Sequence, residues 1–136
     1  MIDSFRGKFR FLSNFYPSEV EYEGVKFPTV EHAFQAAKSL DAKTRRKFVS
    51  LETPGDAKRY GNDITLRNDW EAVKVPIMEQ LLRQKFKDGD LKKRLAATGT
   101  QELIEGNTWN DRFWGVCDGV GQNNLGKLLM KIRDGK

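Results

Sequence analysis

The residues best placed by type and spacing to do chemistry are Glu31, Gln35 and Lys38. Gln35 and Lys38 follow Glu31 by four and seven residues, so a helix would carry a carboxylate, an amide and an amine on one face. Glu31 would lie in the first turn, where the helix dipole favours an ionised carboxylate. Such a carboxylate suits a base or a stabiliser of positive charge. The same spacing is also ordinary helix electrostatics, so spacing alone leaves function open.

A second candidate carboxylate, Asp111, lies in a polar loop among aromatic residues. Trp109, Phe113 and Trp114 could shelter its carboxyl group or stack on a base. Loops carry function more often than their share of the chain, which makes this aspartate a candidate functional residue.

The residues that follow form a glycine-rich segment, 119–124, ahead of a predicted helix from Leu125. Backbone N–H groups at such a helix start can hold a phosphate. The glycine spacing does not match the dinucleotide-binding fingerprint. A turn before an asparagine-capped helix explains the segment as well.

Thiol and zinc chemistry have little support. His32 and Cys117 are the only residues of their types, and together they cannot supply the usual Cys/His zinc site. On a helix His32 points about 100° away from Glu31, so the two form no dyad by adjacency. We expect Cys117 to be a buried structural residue.

The elements that must position these residues are mostly helical. Thr29 is a good N-cap for a helix to about residue 40, and alternation around Glu23-Gly24 predicts a hairpin. The alternation of Phe9 and Phe11 predicts a further strand. Additional helices are predicted over 41–51, 53–61, 70–86 with a kink or restart at Pro76, 91–97 and 125–133, with an extended piece near 103–104. The fold class is therefore α+β, a mostly helical single domain over residues 1–136 packed around a small N-terminal antiparallel sheet.

Composition narrows the class of protein. The 136 residues include 24 Lys plus Arg and 19 Asp plus Glu, a net charge of +5, with 38% hydrophobic residues. Intrinsic disorder is excluded. No apolar run approaches the roughly 18 residues that span a bilayer, and the N-terminus lacks the pattern of a signal peptide, so we expect a cytoplasmic protein. The basic clusters are interspersed with acids, which favours solvated helix faces over a nucleic-acid stripe.

Several segments resemble the NADAR (YbiA-like) family, and they occur in its order. They are Phe11-Leu12-Ser13-Asn14-Phe15-Tyr16-Pro17, Phe27-Pro28-Thr29-Val30-Glu31-His32-Ala33-Phe34-Gln35-Ala36-Ala37-Lys38, Arg67-Asn68-Asp69-Trp70, Asn110-Asp111 with Phe113-Trp114-Gly115, and Gly121-Gln122-Asn123-Asn124-Leu125-Gly126-Lys127-Leu128-Leu129-Met130. The likeness covers nearly the whole chain, which is therefore identified as a member of this family.

The resemblance implies a NADAR-like fold and an N-glycosidase that cleaves the bond between ribose C1 and a nitrogen. It implies Glu31, Trp70 and Asp111 as active-site residues, Lys38 as a candidate amine near the anomeric carbon, and no metal or organic cofactor. Further residues of the matching motifs are expected to bind substrate: Asn14, Phe15, Gln35, Trp70, Trp114, Gly121, Asn123 and Asn124.

The chemistry that the resemblance implies suits these residue types. Breaking an N-glycosidic bond builds positive charge on C1 and the ring oxygen, which an ionised Glu31 would stabilise while activating water. Asp111 would protonate the leaving nitrogen if burial raises its pKa. Alternatively, the Lys38 amine would attack C1 and form a Schiff base with the opened ribose. Trp70 would stack on a base or sugar face.

Two substrate groups are implied by the resemblance, and both stay open here. One is ADP-ribose attached to guanine bases of DNA, where such a domain is the antidote to a DarT-type ADP-ribosyltransferase toxin. The other is the set of phosphoribosylamino pyrimidines early in riboflavin biosynthesis. The basic charge favours the polyanion. An alternative from another class is a catalytically silent module that binds NAD or ADP-ribose.

Overall fold

Helix α1, Val30–Ala37, begins where Thr29 ends an extended segment. Thr29 has φ −146° and ψ 162°, and its Oγ1 accepts a hydrogen bond of 3.0 Å from the backbone N–H of His32. This is the expected N-cap. All eight residues of α1 are buried, so the helix that carries Glu31 and Gln35 lies within the core of the middle unit.

The computed structural model describes residues 1–136 and divides them into two compact units. The middle unit is 14–85, and the terminal unit combines 1–13 with 86–136. The expectation that 1–136 forms one domain stays a prediction.

In the middle unit, strands β1 (Val20–Tyr22) and β2 (Val25–Phe27) form the predicted antiparallel hairpin. Val20 pairs with Phe27 and Tyr22 with Val25. Glu23 and Gly24 have φ values of 46° and 85°, as the tightest hairpin turns require. The small sheet over which the helices were expected to pack is confirmed, and α1 contacts both of its strands.

The other helices of the middle unit pack around α1. They are α2 (Ala42–Val49), α3 (Pro54–Gly61) and α4 (Trp70–Lys85). Side chains of Asp41 and Thr53 cap α2 and α3. Helix α4 continues through Pro76 without a restart.

The terminal unit contains a 3-10 helix, Gly7–Leu12, where the sequence predicted a strand. That prediction was wrong because two alternating aromatics are too short a pattern, and Phe11 and Leu12 are both buried although they are neighbours. Helix α5 (Gly89–Ala96) starts earlier than predicted because Asp88 caps it. The remaining elements are β3 (Gly106–Asn107), β4 (Val116–Cys117), which pairs with β3 in parallel, and α6 (Asn124–Arg133).

The extended piece predicted near Leu103 pairs with Ile2 through an isolated parallel bridge. Cys117 is a free, buried thiol, as expected. No helix combines the length and the apolar character needed to cross a bilayer.

Candidate active site

Glu31 is held in the first turn of α1 from two directions. Its backbone N–H donates to the carbonyl of Asn14 at 3.1 Å, and its Oε2 accepts a hydrogen bond of 2.7 Å from Gln35 Nε2. Only 8% of the residue is exposed. These two hydrogen bonds fix the position and orientation of the Glu31 carboxyl group at the helix N-terminus. The structure thus brings Glu31 and Gln35 together as their spacing predicted.

Lys38 follows α1 directly, in a half-buried position. Burial lowers the pKa of its amine, the nearby charge of Glu31 opposes that effect, and the charge of Lys58 on α3 adds to it. A lowered pKa gives a lysine a larger neutral, nucleophilic fraction. The Lys38 amine therefore lies close enough to the Glu31 carboxylate for their charges to interact.

Arg67 fixes the chain around Lys38, a role that sequence reasoning missed. Its backbone N–H donates to the carbonyl of Lys38 at 2.7 Å, and its Nη1 donates to the carbonyl of Ala37 at 3.4 Å. Asp69 holds the guanidinium through Nε at 2.7 Å. The sequence signal for this role was the segment that contains Arg67, Asp69 and Trp70, but that segment indicated only the resemblance to the NADAR family.

His32 has a structural role. Its Nδ1 lies 2.7 Å from Thr29 Oγ1, and its Nε2 lies 2.9 Å from the carbonyl oxygen of Leu51. Both ring nitrogens are therefore occupied, and the ring is 1% exposed. This imidazole links the start of α1 to the segment after α2.

Trp70, Asn14 and Phe15 also belong to the middle unit. Trp70 is 6% exposed and packs against Phe34, with ring centroids 5.0 Å apart. Asn14 donates from Nδ2 to Met78 Sδ at 3.6 Å, while its buried Oδ1 has no hydrogen-bond partner. Phe15 is exposed. Asn14, whose backbone carbonyl anchors Glu31, thus also carries an unused side-chain acceptor.

Asp111 lies in the terminal unit, where it organises its own loop. Its Oδ1 accepts hydrogen bonds from the backbone N–H groups of Phe113 and Trp114 at 3.1 and 2.9 Å. Its backbone pairs with the Asn107 side chain in both directions. Asp111 is half-buried, and Trp109 is 49% exposed. Phe113 and Trp114 pack edge to face at 4.9 Å.

The glycine-rich segment before α6 uses its backbone donors internally. The N–H groups of residues 122–125 donate to carbonyls of residues 112–115 at 2.8–3.3 Å. A Cβ on Gly121 would lie 2.1 Å from the carbonyl oxygen of Gly115, so glycine is needed for this close approach. The N–H groups of residues 122–125 are thus already bonded within the protein.

The asparagines of this segment bind backbone as well. Asn123 Oδ1 accepts from the N–H of Glu105 at 3.0 Å, and its Nδ2 donates to the carbonyl of Leu103 at 2.9 Å. Asn123 has φ 56° and makes no side-chain cap of α6, so the predicted asparagine cap was wrong. Asn124 Nδ2 donates to the carbonyl of Phe113 at 2.9 Å. These amides hold the loop of Asp111 and Trp114 in place.

Comparison with known proteins identifies the family of the chain. The family model described as the NADAR domain matches residues 4–135. The N-glycosidase YbiA of Escherichia coli strain K12 is 41% identical over 127 residues, which cover 90% of this chain and 79% of that protein. An NMR structure of the E. coli protein YbiA superimposes with a TM-score of 0.84 at 37% identity, and the match covers 99% of this chain and 86% of that one.

Two further relatives carry other names. The N-glycosidase Npun_R5314 of Nostoc punctiforme is 37% identical over 90% of this chain and 83% of its own length. The riboflavin biosynthesis protein VVA0006 of Vibrio vulnificus is 37% identical over 91% of this chain, which spans only 35% of that longer protein. With its family model matched over nearly all of its length, the chain belongs to the NADAR domain family.

Proposed function

We propose that this chain hydrolyses the bond between ribose C1 and a nitrogen in a phosphate-bearing ribosyl N-glycoside. The observation that carries the proposal is the buried Glu31 carboxylate, fixed by Gln35 and within electrostatic reach of the Lys38 amine. Relatives named N-glycosidase match most of the chain at 37–41% identity. The chain is accordingly a hydrolase of N-glycosyl bonds.

The reaction needs a negative charge where C1 becomes positive. As the C1–N bond breaks, its electron pair leaves with the nitrogen and cationic character develops on C1 and the ring oxygen. Glu31 stabilises that charge and accepts a proton from the water that bonds to C1. Because its carboxylate is held by a hydrogen bond before reaction, it reorganises little in the transition state.

The leaving nitrogen requires a proton, for which Asp111 is the proposed donor. Its Oδ1 is engaged by two backbone N–H groups, so Oδ2 is the oxygen that we propose faces the leaving nitrogen. Trp70 is proposed to stack on the substrate, and the unused Oδ1 of Asn14 to accept a hydrogen bond from a sugar hydroxyl. Phe15 and Trp114 are proposed as further aromatic contacts, with Gly121, Asn123 and Asn124 shaping the loop that carries Trp114.

A covalent route through Lys38 is the alternative mechanism. The neutral amine would bond to C1 as the nitrogen leaves with a proton, the ribose ring would open to a Schiff base, and water would release the sugar. Burial lowers the pKa of Lys38, Glu31 opposes this effect and Lys58 adds to it, and the net lowering increases the neutral fraction of the amine that this route needs. Borohydride during turnover would reduce that intermediate to a stable adduct on Lys38, detectable by mass. Turnover without any adduct would exclude the route.

The first substrate that we propose is ADP-ribose on guanine of DNA, with a DarT-type toxin as the partner that makes the adduct. Its support is the charge of the protein, +5, which attracts a polyanion. The second candidate is a phosphoribosylamino pyrimidine. Its support is the names of two relatives, the riboflavin biosynthesis proteins of V. vulnificus and of Zea mays.

The test presents each substrate separately to the purified protein. Release of ADP-ribose and intact guanine from a modified oligonucleotide, or release of ribose phosphate from the pyrimidine, would identify the substrate by mass spectrometry. An unmodified oligonucleotide is the matched negative control. No release from either substrate would overturn the proposal, and calorimetric binding of ADP-ribose without turnover would instead support the binding module.

A variant links the activity to this site. Glu31→Gln keeps the side-chain shape and removes the charge, so kcat should fall by at least about 10²-fold. The free energy of unfolding should stay unchanged. Glu71→Gln is the matched control, since Glu71 is an exposed glutamate in the first turn of α4 that pairs with Lys74. Equal activity of the two variants would exclude Glu31 from catalysis.

A further inference from the structure

The last residue of α3, Gly61, lies directly against the side chain of Gln35. A Cβ built on Gly61 would stand 2.0 Å from Gln35 Oε1, 2.8 Å from its Cδ and 3.2 Å from its Cβ. Real Cβ atoms essentially never approach another atom so closely, and α1 packs closely against α3 at this point. Only a residue without a side chain leaves room for the Gln35 amide.

Backbone conformation does not explain this glycine. Gly61 is absent from the residues with positive φ and lies within α3, ahead of the helix end at Asn62. Alanine would be favoured there by about 1 kcal/mol on helix propensity alone. The need for glycine therefore arises from Gln35.

The position of the Gln35 amide in turn sets the orientation of Glu31. Its Nε2 donates to Glu31 Oε2 at 2.7 Å, and its buried Oε1 has no conventional hydrogen-bond partner. A carboxylate only accepts hydrogen bonds, so the NH₂ end of the Gln35 amide faces Glu31. The oxygen end of the same amide, Oε1, therefore faces Gly61.

We propose that Gln35 and Gly61 are positioning residues: Gly61 provides the space in which the Gln35 amide holds the Glu31 carboxylate for the reaction. This inference rests on the proposed function and deepens it. It assigns to α3 a part in the active site, and it gives Gln35 a task that is directed at Glu31 and not at the substrate.

The central test is Gly61→Ala, with Gly55→Ala as its matched control in the same helix. A Cβ on Gly55 would meet its nearest atoms at 3.6–4.0 Å, which is ordinary contact. We expect Gly61→Ala to lower kcat by about 10²-fold, the usual cost of displacing a catalytic group by about 1 Å, with little change in KM. Gly55→Ala should keep the wild-type kcat. Wild-type kcat in Gly61→Ala would overturn the proposal.

A second pair of variants separates positioning from general damage to the fold. Gln35→Met fills a similar volume without the donor, so kcat should fall while the free energy of unfolding is retained. Once Gln35→Ala has removed the amide, adding Gly61→Ala should change kcat by less than about 2-fold, since coupled residues are not additive. Additive losses of kcat in the two substitutions would contradict the proposal. The double variant also keeps the proposal testable if Gly61→Ala alone fails to fold.

A readout without turnover distinguishes failure of this inference from failure of the proposed function. The side-chain NH₂ resonances of Gln35 should shift on acidification, when the Glu31 carboxylate that accepts its bond becomes protonated. Gly61→Ala should abolish that pH-dependent shift, and Gly55→Ala should preserve it. An inactive wild type that shows this pattern would overturn only the N-glycosidase assignment, whereas an unchanged shift in Gly61→Ala would overturn the positioning role.

Discussion

Thr29 Oγ1 and His32 Nδ1 lie 2.7 Å apart, and the same hydroxyl accepts a hydrogen bond from the backbone N–H of His32 at 3.0 Å. The carbonyl of Leu51, 2.9 Å from Nε2, requires a proton on that nitrogen. The Thr29 hydroxyl is therefore assigned as the donor to Nδ1. The Thr29 hydroxyl thus accepts one hydrogen bond from His32 and donates another to it. Together these two bonds fix the first turn of α1, which carries Glu31.

The first prediction is that Thr29→Val destabilises the protein more than loss of an ordinary cap does. The substitution removes the cap of α1, typically about 1 kcal/mol, and leaves a buried ring nitrogen without its partner, which costs about 1–3 kcal/mol more. Urea unfolding should therefore show a loss of about 2 kcal/mol or more. Thr53→Val is the matched control, because the exposed Thr53 caps α3 through the backbone N–H of Asp56 at 3.0 Å. Its hydroxyl also bonds to the Asp56 carboxylate, which water can reach, so no buried group loses its partner. Equal losses in the two variants would contradict the role of His32.

The second prediction concerns the charges around Lys38. Its pKa is lowered chiefly by burial, raised by Glu31 and lowered further by Lys58. Glu31→Gln should therefore lower the pKa of Lys38, whereas Lys58→Met should raise it. NMR titration of ¹³Cε-labelled lysine measures both shifts directly. Shifts of the same sign in the two variants would show that these charges do not act on the amine as the structure indicates.

The middle unit could largely be predicted because its signals are local. Thr29 caps α1 through a residue three positions away, and the Glu31–Gln35 bond follows from helical spacing. The turn at Glu23-Gly24 needs only its own two residues to adopt positive φ. In each case the interaction that decides the structure joins residues close in sequence.

The parts that could not be predicted depend on contacts distant in sequence. The glycine at position 61 has its reason in Gln35, 26 residues earlier, and nothing in the local pattern of α3 indicates it. Asn123 lies at the expected start of α6, yet its amide binds the backbone near Leu103 instead of capping the helix. Propensity predicts that an asparagine precedes a helix, but only tertiary structure decides what its side chain binds.

The third prediction separates the structural and chemical roles of Asp111. Asp111→Asn retains an Oδ1 that can accept from the N–H groups of Phe113 and Trp114, so the free energy of unfolding should change little. It cannot supply an acid proton, and kcat should fall by about 10²–10⁴-fold. Asp111→Ala should lose both activity and stability. Full activity of Asp111→Asn would leave this aspartate a purely structural role.

The fourth prediction is a pH dependence of stability that arises from Lys85. The residue is 1% exposed, its Nζ lies 5.7 Å from the Tyr16 ring centroid, and burial lowers its pKa from 10.5 to about 7. Between those pH values the unfolded chain binds a proton that the folded chain does not, so stability rises with pH by up to about 1.4 kcal/mol per unit. Below pH 7 both states are protonated and this contribution is constant.

Lys85→Met should remove that rise, because the apolar side chain fills the same buried space without a titrating amine. Urea unfolding at pH 7, 8 and 9 measures the slope, and Lys87→Met, at an exposed position next to α4, is the matched control that should retain it. Relative to wild type, Lys85→Met should also gain most stability at pH 7, where the buried amine is most costly, and least at pH 9. Parallel curves for wild type and Lys85→Met would contradict the assignment of this pH dependence to Lys85.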